Sequence, residues 1–275
     1  MGAGVVRPAR RPAGWRAPGP PPRGRTDLAP GPGEDLCYLS GDWRIFQRTD
    51  GHRWSLDDLV TAWYAADGAP PTRHADLGCG IGTVLLLLAW RFPALRGVGV
   101  EAQAVSIDLA RRSLAWNGVA DRLEVRAGDL RDATLLPAAA FDLVTGTPPY
   151  LPPGTATEST RVQVGPCHVE HRGGIEDYCV AAARLLAPGG RFVTCAGGAH
   201  TARVAAAAAA AGLGVVRRRD VVPRAGKAPL LGVYVLARAG DAGPGTVEPP
   251  LVVRDARGAR TPAFRALRHD MGMPP

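Results

Sequence analysis

Apolar and polar positions follow two rhythms along this chain. From residue 72 onward, short apolar runs recur near 72–77, 96–101, 122–126, 141–146 and 190–196, and each predicts a strand. Between them, residues 82–92, 103–117, 173–187 and 199–211 carry helical patterning. Strands separated by helices imply βαβ units and a parallel sheet. Val84-Leu85-Leu86-Leu87-Leu88 is apolar on every side, as expected of a helix buried against that sheet. Pro188-Gly189-Gly190 stops the helix before the fifth strand. Two more apolar runs, 215–222 and 230–237, are separated only by a turn region at 223–229. So short a connection requires antiparallel pairing.

The flanks follow different rules. Residues 1–35 are dense in Pro, Gly and Arg, including Pro20-Pro21-Pro22. Such a segment has too little apolar surface to offset its ordering entropy, and disorder is expected there. Residues 36–240 form the expected domain. Its first part holds a short helix near 55–66, with Ser55 at the N-cap and Asp57 and Asp58 in the first turn. Residues 241–275 are expected to be a partly ordered tail, with one added strand at Leu251-Val252-Val253.

Composition changes this picture only slightly. The chain has 275 residues, 46% hydrophobic and 21% charged, which suits one α/β domain with a full core. Aromatics are only 6%, so Ala, Val and Leu must fill that core. Net charge is +8, and residues 1–35 hold six arginines against three acids. The remainder is therefore +5, basic enough to attract a polyanion without requiring one. Five cysteines without CxxC spacing argue for a reducing compartment and against a disulfide framework. No apolar run approaches a membrane span. A cytoplasmic location is expected. Organellar import by the Arg-rich start is left open, although that start has no serine before Ser40.

The chemistry lies in four motifs in fixed order. Asp76-Leu77-Gly78-Cys79-Gly80-Ile81-Gly82 falls where the first strand turns into a helix. Gly78, Gly80 and Gly82 let the backbone approach a ligand, and the helix N-terminus that follows suits a carboxylate or phosphate. Glu101 closes the second strand, where an acid can accept from both ribose hydroxyls. Asp129 closes the third and can accept from an adenine amine. A tight turn plus two solvated acids explains the glycines alone about as well as a nucleoside site does. It does not explain acids at successive strand ends. A dinucleotide domain is the other alternative, and it leaves the fourth motif unexplained.

That fourth motif is Thr147-Pro148-Pro149-Tyr150, leaving the end of the fourth strand. Two prolines fix the backbone and remove competing N–H groups. The edge that results is made of acceptors. Two acceptors on the N–H bonds of a planar amine can turn its lone pair toward a methyl donor, and Tyr150 can stack on the ring.

With these residues in place, the chain resembles the small-domain, exocyclic-amine methyltransferases that use S-adenosylmethionine. Within them it is most similar to the bacterial tRNA adenine-N6 enzymes. The similarity runs over residues 43–238, with a weaker echo at 250–267. It implies a Rossmann-like class I methyltransferase: α/β, with a mostly parallel seven-stranded sheet and an antiparallel last strand. It also implies that Asp76, Gly78, Gly80 and Gly82 line the methionine part of the cofactor, that Glu101 holds the ribose and that Asp129 holds the adenine. Thr147, Pro148, Pro149 and Tyr150 would hold the acceptor, an RNA and by resemblance a tRNA. The family's tetrapeptide starts with Asn, or in relatives with Asp or Ser. This chain has Thr147, whose hydroxyl can still accept from an amine.

Competing readings remain. Glutamine methylation on a protein of the release-factor type would replace the amine with an amide. Relatives of that kind carry a helical domain ahead of the glycine motif, and residues 36–71 are too few for one. A small amine is a further acceptor class, and a non-enzymatic RNA-binding protein is the last. Residues 151–172 lack periodicity and are read as a substrate-facing lid. Cys167, His168 and His171 lack a fourth ligand at familiar spacing, so no metal is expected. Arg217-Arg218-Arg219 reads equally as a phosphate contact or a solvated strand end.

Overall fold

The computed structural model describes residues 4–150, 163, 170 and 173–275. Three short strands come first: β1 (Val5–Val6), β2 (Glu34–Tyr38) and β3 (Arg44–Arg48). β1 pairs parallel with β2, and β2 antiparallel with β3. This small sheet lies on the helix α3 (Ala104–Asn117). There Phe46 N donates to Ser113 Oγ at 2.9 Å and Arg44 N to Asn117 Oδ1 at 3.0 Å.

The helix α1 (Leu56–Ala65) precedes the main sheet. That sheet contains β4 (Arg73–Leu77), β5 (Arg96–Glu101), β6 (Leu123–Ala127), β7 (Phe141–Gly146) and β8 (Leu186–Gly197). It continues with β9 (Leu213–Val222), β10 (Leu231–Arg238) and β11 (Thr246–Val252). Its order is β11-β9-β10-β8-β7-β4-β5-β6. β10 runs antiparallel to both of its neighbours, and the other pairings are parallel. The expected alternation of strands and helices is therefore present, and so is the antiparallel pair.

Side chains alternate across the sheet with period two. Leu143 and Val193 pack with α1, α3 and α2 (Thr83–Arg91) on one face. Val144 and Phe192 pack on the other face with α4 (Ile175–Leu185) and α5 (Thr201–Ala210). Leu85, Leu86, Leu87 and Leu88 are fully buried, as their all-round apolar run requires.

Three expectations need correction. The sheet has eight strands, not seven. The addition is β11, the strand expected at 251–253; it starts earlier, at Thr246, and holds Pro249 and Pro250 next to a register shift. Proline fits there because an edge strand leaves one set of N–H groups unused. The tail after residue 240 is also more ordered than its composition suggests. It ends in α6 (Pro262–Asp270), capped by Thr261 Oγ1 accepting from Phe264 N at 3.2 Å. Leu267 and Met271 anchor that helix in the core.

Finally, residues 4–35 are not disordered in the structure. They have no core of their own and lie along the domain through backbone groups. Arg25 N donates to Ala115 O at 2.9 Å, and Trp43 Nε1 donates to Pro20 O at 3.0 Å. Composition reports what a segment can bury by itself, not what a neighbouring surface offers it.

The strand order reverses beside β4: β5 and β6 lie to one side and β7 to the other. The crevice at the carboxyl ends of strands beside such a reversal is where open α/β sheets take ligands.

Candidate active site

A cavity of about 500 Å³ opens at that crevice. β4 delivers the glycine turn to it. Gly78 has φ +59°, and a Cβ there would collide with the Tyr178 hydroxyl. Gly80 has φ +53°, and a Cβ there would meet no atom within 4 Å. Its bare backbone faces the open cavity. Gly82 is the residue before α2, with φ +83°.

Glu101, at the end of β5, is buried. Its Oε2 accepts from Gly80 N at 2.9 Å, and its Oε1 from Ala102 N at 2.9 Å and Gln103 N at 2.7 Å. The carboxylate thus ties the glycine turn to the start of α3. Asp129 borders the same cavity and pairs with Arg131 at 2.6 Å.

β7 delivers the other side. Thr147, Pro148, Pro149 and Tyr150 all line the cavity. The Tyr150 ring packs by Gly197, where a Cβ would stand 3.5 Å from Tyr150 Cδ2. Burial, with a smaller effect of Asp57, pushes its phenol up to about 12, so it is neutral at physiological pH.

Two predicted site residues, Asp76 and Gly82, do not line the cavity; Asp76 is the one with an ionisable side chain. It is buried beneath, where its Oδ1 accepts from Thr145 Oγ1 at 2.6 Å. Thr145 Oγ1 also lies 2.7 Å from His74 Nε2. Asp76 Oδ2 is buried without a hydrogen-bond partner. Burial raises the Asp76 pKa to about 7 against the Thr145 hydroxyl and a Leu85 amide, and Glu101 adds to the rise.

Sequence reasoning missed one wall. Ser55, Asp57 and Asp58, at the start of α1, border the cavity. Asp58 Oδ2 accepts from Ser55 N at 3.0 Å, while Asp57 Oδ1 accepts from Ser55 Oγ. Burial, then Asp57, raises the Asp58 pKa well above the carboxylate range. Acids in a first helical turn are ordinary, and nothing in the sequence separates a cap from a cavity wall. Conversely, the arginine triplet is not a free phosphate contact. Arg217 pairs with Asp67 and Glu248, Arg219 pairs with Glu248, and Arg218 donates to Thr201 Oγ1. No metal-binding cluster occurs among the described residues. Cys167, His168, His171 and most of the expected lid lie outside them.

Residues 75–158 match the family model of a methyltransferase domain. One solved structure that the chain resembles is a predicted O-methyltransferase from Agrobacterium tumefaciens, with a TM-score of 0.61 over 79% of this chain and 98% of that one. Residues 75–158 thus carry a methyltransferase domain, a kind of domain that uses S-adenosylmethionine. The structural likeness is at 22% identity and bears on the fold alone. Among curated proteins, a tRNA1(Val) (adenine(37)-N6)-methyltransferase from Porphyromonas gingivalis is 30% identical over 139 residues, covering 49% of this chain and 54% of the relative. A release factor glutamine methyltransferase from Bradyrhizobium diazoefficiens is 32% identical over 168 residues, covering 58% of this chain and 53% of the relative. The chain thus spans about half the length of these curated relatives.

The cavity of the methyltransferase domain suits its cofactor. Its volume lies within the roughly 300–1,000 Å³ of small-molecule sites. Gly80 leaves backbone open on one wall, Glu101 offers acceptors at the end of β5, and Ile81, Val100 and Leu130 supply apolar surface.

Proposed function

We propose that the protein transfers a methyl group from S-adenosylmethionine to an exocyclic amine of an RNA base, with N6 of adenine in tRNA favoured. One observation carries this reading: the tetrapeptide 147–150 and the residues Gly80, Glu101 and Asp129 border a single cavity. Gly78, Gly80 and Gly82 would admit the amino-acid portion of the cofactor, Glu101 would hold its ribose and Asp129 its adenine. Asp76 would act from below, through the turn it supports. When bound, the cofactor supplies an electrophilic methyl group on a sulfonium.

The protein's own contribution is positioning. Thr147 Oγ1 and the acceptor edge of the proline pair would take the amine's two N–H bonds and aim its lone pair. Tyr150 would stack on the ring, offsetting part of the cost of removing the base from its own stack. Asp57 borders the same cavity, where its carboxyl would favour a transiently cationic methylated amine. The proton then leaves to water.

The match to the release factor enzyme supports a second reading, in which a glutamine amide takes the place of the amine. Labelling of total tRNA and total protein with tritiated methyl donor separates the two. Label in tRNA, and a methylated base lost from cells without the protein, is the expected result. Label in protein alone would overturn the RNA reading. Tyr150→Ala should keep cofactor affinity and lower RNA methylation roughly 10- to 100-fold, from about 1–3 kcal/mol of base stacking. Unchanged turnover would remove Tyr150 from the acceptor site.

A further inference from the structure

A second cavity, of about 540 Å³, lies between the N-terminal segment, the β2–β3 hairpin and the end of α6. Four arginines line it: Arg7, Arg10, Arg53 and Arg268. Two of them are paired, since Arg7 and Arg53 share the one buried carboxylate of Asp35 at 2.8 and 3.0 Å. The other two face no carboxylate among the described residues. Arg268 donates only to Pro274 O at 2.8 Å and to Met273 Sδ at 3.8 Å. Burial, and then Arg260, disfavour its charge, so an incoming anion would relieve it.

One further observation narrows the ligand. Trp54 supplies an aromatic wall. A bare phosphate would leave Trp54 unused, whereas a nucleotide can stack its base there. Arg53 borders this cavity and the active cavity alike, so the two are neighbours along one surface.

We propose that this second cavity holds a nucleotide flanking the methylated base, with its phosphate on Arg10 and Arg268 and its base against Trp54. The inference rests on the RNA reading of the active cavity. It also gives the arginine-rich N-terminal segment a function, because folding that segment against the hairpin is what brings Arg10 to the cavity.

The test is fluorescence anisotropy of labelled total tRNA over a range of salt, with cofactor binding measured by calorimetry in parallel. Arg10→Gln with Arg268→Gln should weaken tRNA binding roughly 10- to 100-fold. It should also reduce the salt slope of log K by about 1, the value for one lost phosphate contact. Trp54→Leu should weaken binding without changing that slope, since it removes stacking and no charge, and cofactor affinity should stay at the wild-type value in both. If the double variant fails to fold, Arg10→Glu alone, at an exposed residue, carries the same test.

Wild-type affinity and slope in a folded double variant overturn the inference and leave the RNA reading standing. Wild-type protein that binds no tRNA overturns both. Inorganic pyrophosphate competing as effectively as tRNA would assign the cavity to a free anion instead.

Discussion

His74 and Asp76 are both buried and linked through Thr145, yet burial moves their titrations in opposite senses. His74 is pushed down to about 3, mainly by burial, and Asp76 up to about 7. The unfolded chain protonates His74 below about 6.5 while the folded protein does not, so its contribution to stability is lost as pH falls from 6.5 toward 3. The folded protein keeps the Asp76 proton up to about 7 while the unfolded chain releases it near 4. That contribution is lost as pH rises from 4 toward 7. Each slope is about 1.4 kcal/mol per pH unit, so over pH 4.5–6.5 the two cancel.

Single substitutions should expose them. Asp76→Asn leaves His74 alone, and its stability relative to wild type should fall by about 2–3 kcal/mol between pH 6.5 and 4.5. His74→Asn leaves Asp76 alone, and its relative stability should rise by a similar amount over the same interval. Urea unfolding of the cofactor-free protein at three pH values measures both, with wild type cancelling the background of exposed carboxylates. Variants that both run parallel to wild type would refute the opposed titrations.

Two other substitutions probe the cavity directly. Glu101→Gln keeps an acceptor for Ala102 and Gln103 but turns an amide toward Gly80 N. It should lower stability and cofactor binding by about 1–3 kcal/mol each, measured by unfolding and calorimetry, and wild-type values for both would remove Glu101 from the cofactor site. Thr147→Asn should retain measurable turnover on the native acceptor, while Thr147→Val, which keeps the shape and loses the acceptor, should cost on the order of 10²-fold; equal activity of the Val variant would show that the hydroxyl does not touch the reacting nitrogen.

The sheet from β4 to β10 was legible in the sequence. Its period is local: apolar runs of strand length alternate with helical stretches, and the 223–229 turn is too short for anything but antiparallel pairing. The convergence of the four motifs on one cavity was legible for the same reason, since each sits at a strand end and strand ends on one edge of a parallel sheet converge. Three features required the tertiary structure. The added strand was legible at 251–253 but its start at Thr246 was not, because two prolines argue against a strand until the pairing shows that its outer side is unused. The N-terminal segment buries almost nothing of its own, and its order comes from backbone partners on α3 that lie far away in sequence. Asp57 and Asp58 are ordinary polar residues of a helix start, and only the packing of α1 against the sheet turns them toward the cavity. Periodicity and strand-end chemistry are properties of neighbours along the chain, whereas a cavity wall is made by residues that the chain keeps apart.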